Sequence, residues 1–158
     1  SKPRAVFRRL RRALYFIGNN MLINHECIKD LLSVFAKSEL AEISISDLVN
    51  DSAIRDNYSD EELMFHIQRL CDQGWIITSS SENEPFALYG PGRTPTWHST
   101  EWRWTESANQ YWDASSKPEI WSKFKSLSAK ESLDFSLDIL KGLGKKWIEK
   151  KVNEIFEI

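Results

Sequence analysis

The spacing of apolar positions changes along the chain, and each change predicts an element. Val6, Phe7, Leu10, Leu14 and Ile17 recur at helical spacing after Pro3, arginines fill the remaining face, and Gly18-Asn19-Asn20 ends the run. This predicts an amphipathic helix. A second run, Ile28, Leu31, Leu32 and Phe35, follows Asn24, which is suited to cap it, and has Glu26 in its first turn. Residues 46–50 predict a short helix in a polar stretch. Ser59-Asp60-Glu61-Glu62 has the spacing at which a hydroxyl and a carboxylate satisfy backbone N–H groups that the first helical turn leaves free. A helix is predicted to start there, to bury Leu63, Met64, Ile67, Leu70 and Cys71, and to end at Gly74.

The period then shortens. Residues 75–78 read as a strand, the Ser-rich acidic sequence to Pro85 as a turn, 86–89 as a returning strand, 90–95 as a loop tip and 97–104 as a further extended segment. These predict three short strands in one small sheet, with a hairpin between Trp75 and Tyr89. Thr105 is expected to cap a helix carrying Ala108, Tyr111 and Trp112, and Pro118 to sit in the first turn of another with Ile120, Trp121 and Phe124. The last helix opens on a second capping box, Ser128-Ala129-Lys130-Glu131. It is expected to bury Leu133, Leu137 and Leu140 and, past the weak point 142–144, Trp147, Ile148, Val152 and Ile155.

The predicted class is α+β: a winged-helix-like core of helices plus a small antiparallel hairpin or sheet, the arrangement of a helix-turn-helix followed by a β-hairpin. Residues 1–23 form a basic amphipathic N-terminal helix, 24–113 the winged-helix-like core, and 114–158 a C-terminal helical extension packed on it.

Several positions carry a family likeness. His66, Leu70, Gly74 and Ile76 fit a helix-to-strand pattern, and Arg103, Thr105, Tyr111, Asp113, Trp121 and Lys125 fit a later Arg-apolar-Thr segment followed by Trp and Lys. With these residues the chain, over about 24–158, resembles the bacterial and phage domain-of-unknown-function family 2513. Glu106, Ala108 and Asn109 stand where that family's pattern has Trp, Gly and His. The resemblance implies the fold and leaves the activity undefined.

Composition adds boundaries. Of the 158 residues 41% are hydrophobic and 28% charged, which suits one folded globular domain. No stretch reaches the roughly 20 apolar residues of a membrane span, and the basic start leads into no apolar core with a cleavage site, so a cytoplasmic protein is expected. The net charge of −2 hides an uneven distribution. Residues 1–23 hold six basic residues and no acid, 24–113 six basic against sixteen acidic, and 114–158 nine against seven. A basic arm precedes an acidic body.

No catalytic pattern emerges, and an enzyme is not expected. His25, His66 and His98 share no ligand spacing, Cys27 and Cys71 sit in apolar helical patterns as buried thiols, and Gly90-Pro91-Gly92 reads as a turn. Neither a metal nor another cofactor is expected. His66 is expected as a partly buried imidazole tying its helix to the hairpin. Trp102 and Trp104 share a strand face, which suits core packing; an exposed member of that pair, or Trp97, would serve as a contact or stacking residue.

The candidate binding residues are therefore Arg4, Arg8, Arg9, Arg11 and Arg12 of the first helix, Gln68 and Arg69 of the helix from Ser59, and Arg93 and Trp97 of the strand region. A helix that enters the major groove needs cations and amides near its N-terminus. Here that end carries Asp60, Glu61 and Glu62. The expected function is a non-enzymatic regulatory binding module of bacterial, phage or defence origin that engages a protein partner. Nucleic acid, contacted through the arginine-rich helix, and a second copy of the chain are left open as further partners. The alternative is a sequence-specific DNA-binding repressor that uses residues 59–73.

Overall fold

A computed structural model describes residues 22–79, 85–127 and 132–157, and these form an α+β fold. Residues 1–21 of the predicted N-terminal helix, with its five candidate arginines, and the capping box at 128–131 lie outside the described residues, and residues 22 and 23 are not helical.

Helix α1 (His25–Lys37) starts where Asn24 Oδ1 accepts from the Glu26 and Cys27 N–H groups at 3.0 and 3.4 Å. It lays Ile28, Leu31 and Leu32, all fully buried, into the core. Strand β1 (Ile43–Ser44) leads into α2 (Ile45–Asn50), capped by Ser44, and α3 (Ser52–Arg55), capped by Asp51. Helix α4 (Asp60–Asp72) opens on the predicted capping box: Glu62 N–H donates to Ser59 Oγ, and Ser59 N–H to the Glu62 carboxylate, both at 3.2 Å. Gly74, at φ 66°, lets the chain reverse after α4, because a side chain there would be strained.

The strands pair differently from the expectation. Strand β2 (Ile76–Thr78) is antiparallel to β5 (Glu101–Trp104), and β5 also pairs with β1, giving the order β1-β5-β2. Strands β3 (Ala87–Tyr89) and β4 (Pro95–Trp97) form a separate two-stranded ribbon closed by a 3-10 turn at Pro91–Arg93. The hairpin expected between Trp75 and Tyr89 is thus replaced by one joining 76–78 to 101–104, with the ribbon inserted in its loop. The reason is burial. Strand β5 brings Trp102, 6% exposed, opposite Ile43 on one side and Thr78 on the other, whereas β3 presents Leu88 and Tyr89 to solvent and has no apolar row for the main sheet.

Helices α5 (Glu106–Ser115), α6 (Pro118–Leu127) and α7 (Leu133–Phe156) complete the chain. Thr105 precedes α5 without capping it through its side chain. Its hydroxyl donates instead to the carbonyl of Gly74 at 2.9 Å, with that of Trp75 at 3.3 Å, and its N–H donates to Trp75 O at 2.8 Å. Thr105 therefore fastens the start of α5 to the turn after α4. Thr105→Val, which keeps the shape and removes the hydroxyl, should lower stability in urea unfolding by about 1 kcal/mol. An unchanged midpoint would show that the bond contributes nothing net.

The core is one cluster drawn from α1 to α7. At its centre Trp75 and Tyr111 lie 5.1 Å apart, and Phe124 meets Tyr111 and His25 edge-on. Helix α7 contributes Leu133, Leu137 and Leu140, as expected, while Trp147 is half-buried. Ile148, Val152 and Ile155, expected in the core, are exposed. The helix continues through Gly142 and Gly144 and carries these residues past the body.

Candidate functional site

The outward side of α4 is the surface a DNA-reading helix would present, and its amide and guanidinium groups already lie against neighbouring acids, with Arg69 Nε left without a hydrogen bond. Gln68 Nε2 donates to Asp72 Oδ1 at 2.7 Å, and Arg69 Nη2 lies 3.4 Å from Asp72 Oδ2 with its guanidinium over the Phe65 ring. With its amide oriented to donate, Gln73 binds both carboxylate oxygens of Asp134 at the start of α7. What remains outward is acidic or apolar: Asp60, Met64, Phe65 and Asp72, which lie exposed or half-exposed.

Arg93 is likewise engaged. Its Nε and Nη2 donate to the two Glu61 carboxylate oxygens at 3.0 and 3.3 Å, Tyr89 O–H donates to the same carboxylate at 3.3 Å, and the guanidinium covers the Tyr89 ring. The bonds from Arg93 hold the Glu61 carboxyl below its usual range. They also hold Arg93 at φ 59°, a left-handed conformation that a residue with a side chain rarely adopts. The ribbon is so clipped to the N-terminal turn of α4. The sequence placed acids at this helix end but gave no sign that an arginine more than 30 residues later would pair with one of them.

Trp97 is half-buried and packs against the core. Trp104 stacks on Phe35, with centroids 6.2 Å apart and planes 11° from parallel, and tilts against Trp112. Neither ring stands free as a contact platform. The structure therefore brings Arg93 to α4 through Glu61, keeps Gln68 and Arg69 together on Asp72, and leaves Trp97 in a packing role.

Two histidines are built into the interior. His66, 1% exposed, lies 2.7 Å through Nδ1 from the Glu62 carbonyl and accepts the Asn24 N–H at Nε2 at 2.8 Å. These partners fix the neutral tautomer that donates from Nδ1. The expected imidazole tie is present, but it joins α4 to the start of α1 and not to the hairpin. Burial lowers its pKa to about 4. His25 bridges Tyr111 Oη at 2.9 Å and Ser136 Oγ at 3.3 Å, linking α1, α5 and α7. Burial raises the Tyr111 hydroxyl well above its usual pKa, and it pushes the Cys71 thiol up to about 12. Both stay protonated at neutral pH, which suits packing and not nucleophilic chemistry.

Among the described residues no three His, Cys, Asp or Glu side chains group as a metal site, and no helix is long and apolar enough to cross a membrane. Among the described residues nothing covers the far half of α7, where Ile148, Val152, Ile155 and Phe156 stand 57, 42, 66 and 82% exposed. The first three are spaced i, i+4, i+7, as on one helical stripe. A signal for this was available. The core stripe 133, 137, 140 meets Gly at 144 and ends on the half-buried Trp147, while 148, 152 and 155 lie one residue out of phase with it.

No family model, curated protein or solved structure matches the chain.

Proposed function

We propose that the protein is a non-enzymatic regulatory binding module of winged-helix type that engages a protein partner through the far half of α7. The winged-helix reading is supported by the order helix, strand, two short helices, longer helix, strand, strand, and by the sheet order β1-β5-β2, in which the two strands flanking the inserted ribbon pair with each other. The resemblance of residues such as His66, Gly74, Arg103 and Trp121 to a bacterial and phage family pattern is the ground for proposing an origin in a bacterium or mobile element. The observation that carries the function is the state of the α4 surface. Its arginine is held by Asp72 and the ribbon's arginine by Glu61, so the two cations of this surface that would suit phosphates are committed to neighbouring acids. The apolar stripe of α7, in contrast, has no such internal use among the described residues.

Pull-down from the native host with and without nuclease tests this reading. A protein captured equally in both conditions, and lost when Ile148 and Ile155 are changed to Lys, is the expected result. Capture that nuclease abolishes would refute it. Sequence-specific duplex binding lost in Gln68→Ala or Arg69→Ala would establish the repressor reading instead.

Nucleic-acid contact by the arginine-rich N-terminal segment is a separate part of the proposal. Changing Arg8, Arg9, Arg11 and Arg12 to Gln should lower the slope of log K against log salt by roughly 3 to 4, about 0.9 for each phosphate no longer neutralised. An unaltered slope removes those arginines from the interface.

A further inference from the structure

The side of α7 that faces α6 holds a feature unrelated to the apolar stripe. A cleft of about 170 Å3 opens between the two helices, floored by Ile120, Leu143 and Trp147 and rimmed by Lys123, Lys146 and Lys150, with Glu119 at its edge. Ile120 is buried, and Leu143 and Trp147 are half-buried, so the floor is apolar and partly aromatic. Just before α6 and on the two helices, Lys117, Lys125 and Lys151 are paired with Asp113, Glu26 and Glu154, and Lys117 and Lys151 also lie over the Trp147 ring, 5.3 and 5.6 Å from its centroid. Lys123, Lys146 and Lys150 have no ion pair among the described residues.

We propose that this cleft binds single-stranded nucleic acid, with phosphates on Lys123, Lys146 and Lys150 and a base against Ile120, Leu143 and Trp147. Unpaired ammonium groups gather condensed anions, and a phosphate chain that replaces them gains affinity from counterion release. An apolar and aromatic surface beside such a rim accepts the flat face of any base. Lys146 and Lys150 are one helical turn apart, about 6 Å between Cβ atoms, which matches the repeat of a sugar-phosphate chain. A duplex keeps its bases stacked inside and would leave the floor unfilled. An acidic peptide supplies charge to the rim but no flat ring for the floor. The cleft is distinct from the partner stripe, so either can fail without the other.

Fluorescence anisotropy with a short labelled oligothymidylate, titrated into the full chain at several salt concentrations, tests the cleft. The triple variant Lys123→Gln/Lys146→Gln/Lys150→Gln should lose about tenfold or more in affinity at low salt, and its salt slope should fall by about 2, at 0.7 per single-strand phosphate. A control, Lys37→Gln/Arg55→Gln/Arg103→Gln, removes the same charge from exposed positions elsewhere and should change affinity by no more than about twofold. All six side chains are exposed, so both variants should fold, which circular dichroism verifies. No binding by the unaltered chain at low salt, equal losses in the two variants, or competition by polyglutamate as effective as by unlabelled oligonucleotide would each overturn the proposal.

Discussion

Lowering the pH from 7 toward 4 is expected to reduce the stability of this fold by about 3 kcal/mol through His66 alone, from a pKa near 6.5 when unfolded and about 4 when folded. Burial is the main cause. A charged imidazole at this position would give up its hydration and, by gaining a proton at Nε2, could no longer accept the Asn24 N–H. The nearby His25 and Arg69 oppose the charge further, while the Glu62 carbonyl favours it. Between pH 6.5 and 4 the unfolded chain binds the proton and the folded one does not, so stability rises with pH across that window. The contribution is complete above about 6.5 and gone once the folded imidazole itself titrates. Urea unfolding at several pH values, for the unaltered chain and His66→Gln, measures it. The difference between the two stabilities should shrink as pH falls. Parallel curves would refute the assignment. His66→Ala should cost about 3 kcal/mol at neutral pH, through the cavity left and the unpaired Asn24 N–H.

Residues whose role is set by their neighbours in the chain were legible. Asn24, Ser59, Glu62, Gly74 and Pro118 act within one helical turn, and each stands where the local chemistry required it. Strand partners were not legible, because pairing is decided by burial across the molecule. Phe86 to Tyr89 has the composition of a strand, and it is one, but nothing local says that Ile76 will face Trp104 rather than a residue of that nearer segment. Thr105 shows the same limit on a smaller scale. Its type and place suited a cap, and a carbonyl 31 residues earlier took its hydroxyl instead.

The candidate site was legible in part. Acid at the N-terminal end of α4 already spoke against phosphate binding there. The structure adds that Glu61 is paired by Arg93 and Glu62 is buried in the capping box, so the acids serve the fold as well as excluding a ligand. Arg93, in a loop tip, and Trp97, in an extended segment, were candidates for exposed contacts, and both are used in holding the ribbon to the body. The lysine-rimmed cleft escaped the sequence because Lys123 and Lys146 belong to different helices, and only the packing of α6 on α7 brings them to one rim.

The two halves of α7 should respond to substitution in opposite ways. In the first half, Leu137 and Leu140 are 6% and 0% exposed, and cutting either to Ala leaves a cavity where α7 packs on α5 and α6; each change should cost about 3 kcal/mol. In the second half, Ile148 and Ile155 are mostly in water, so exchanging both for Lys removes little buried surface and should change stability by no more than about 0.5 kcal/mol. If the stripe is the partner surface, the same double variant places two charges where apolar side chains are to be buried, and capture of the partner should fall by about a hundredfold or more. Thermal unfolding paired with quantitative pull-down distinguishes every case. A stable double variant that no longer captures protein supports the stripe as a contact surface, and a partner of the same mass as the chain would identify it as a second copy. A stable double variant with undiminished capture moves the partner elsewhere. A loss of more than about 2 kcal/mol would mean that the stripe is already covered by another part of the chain, and the partner proposal would fall with it.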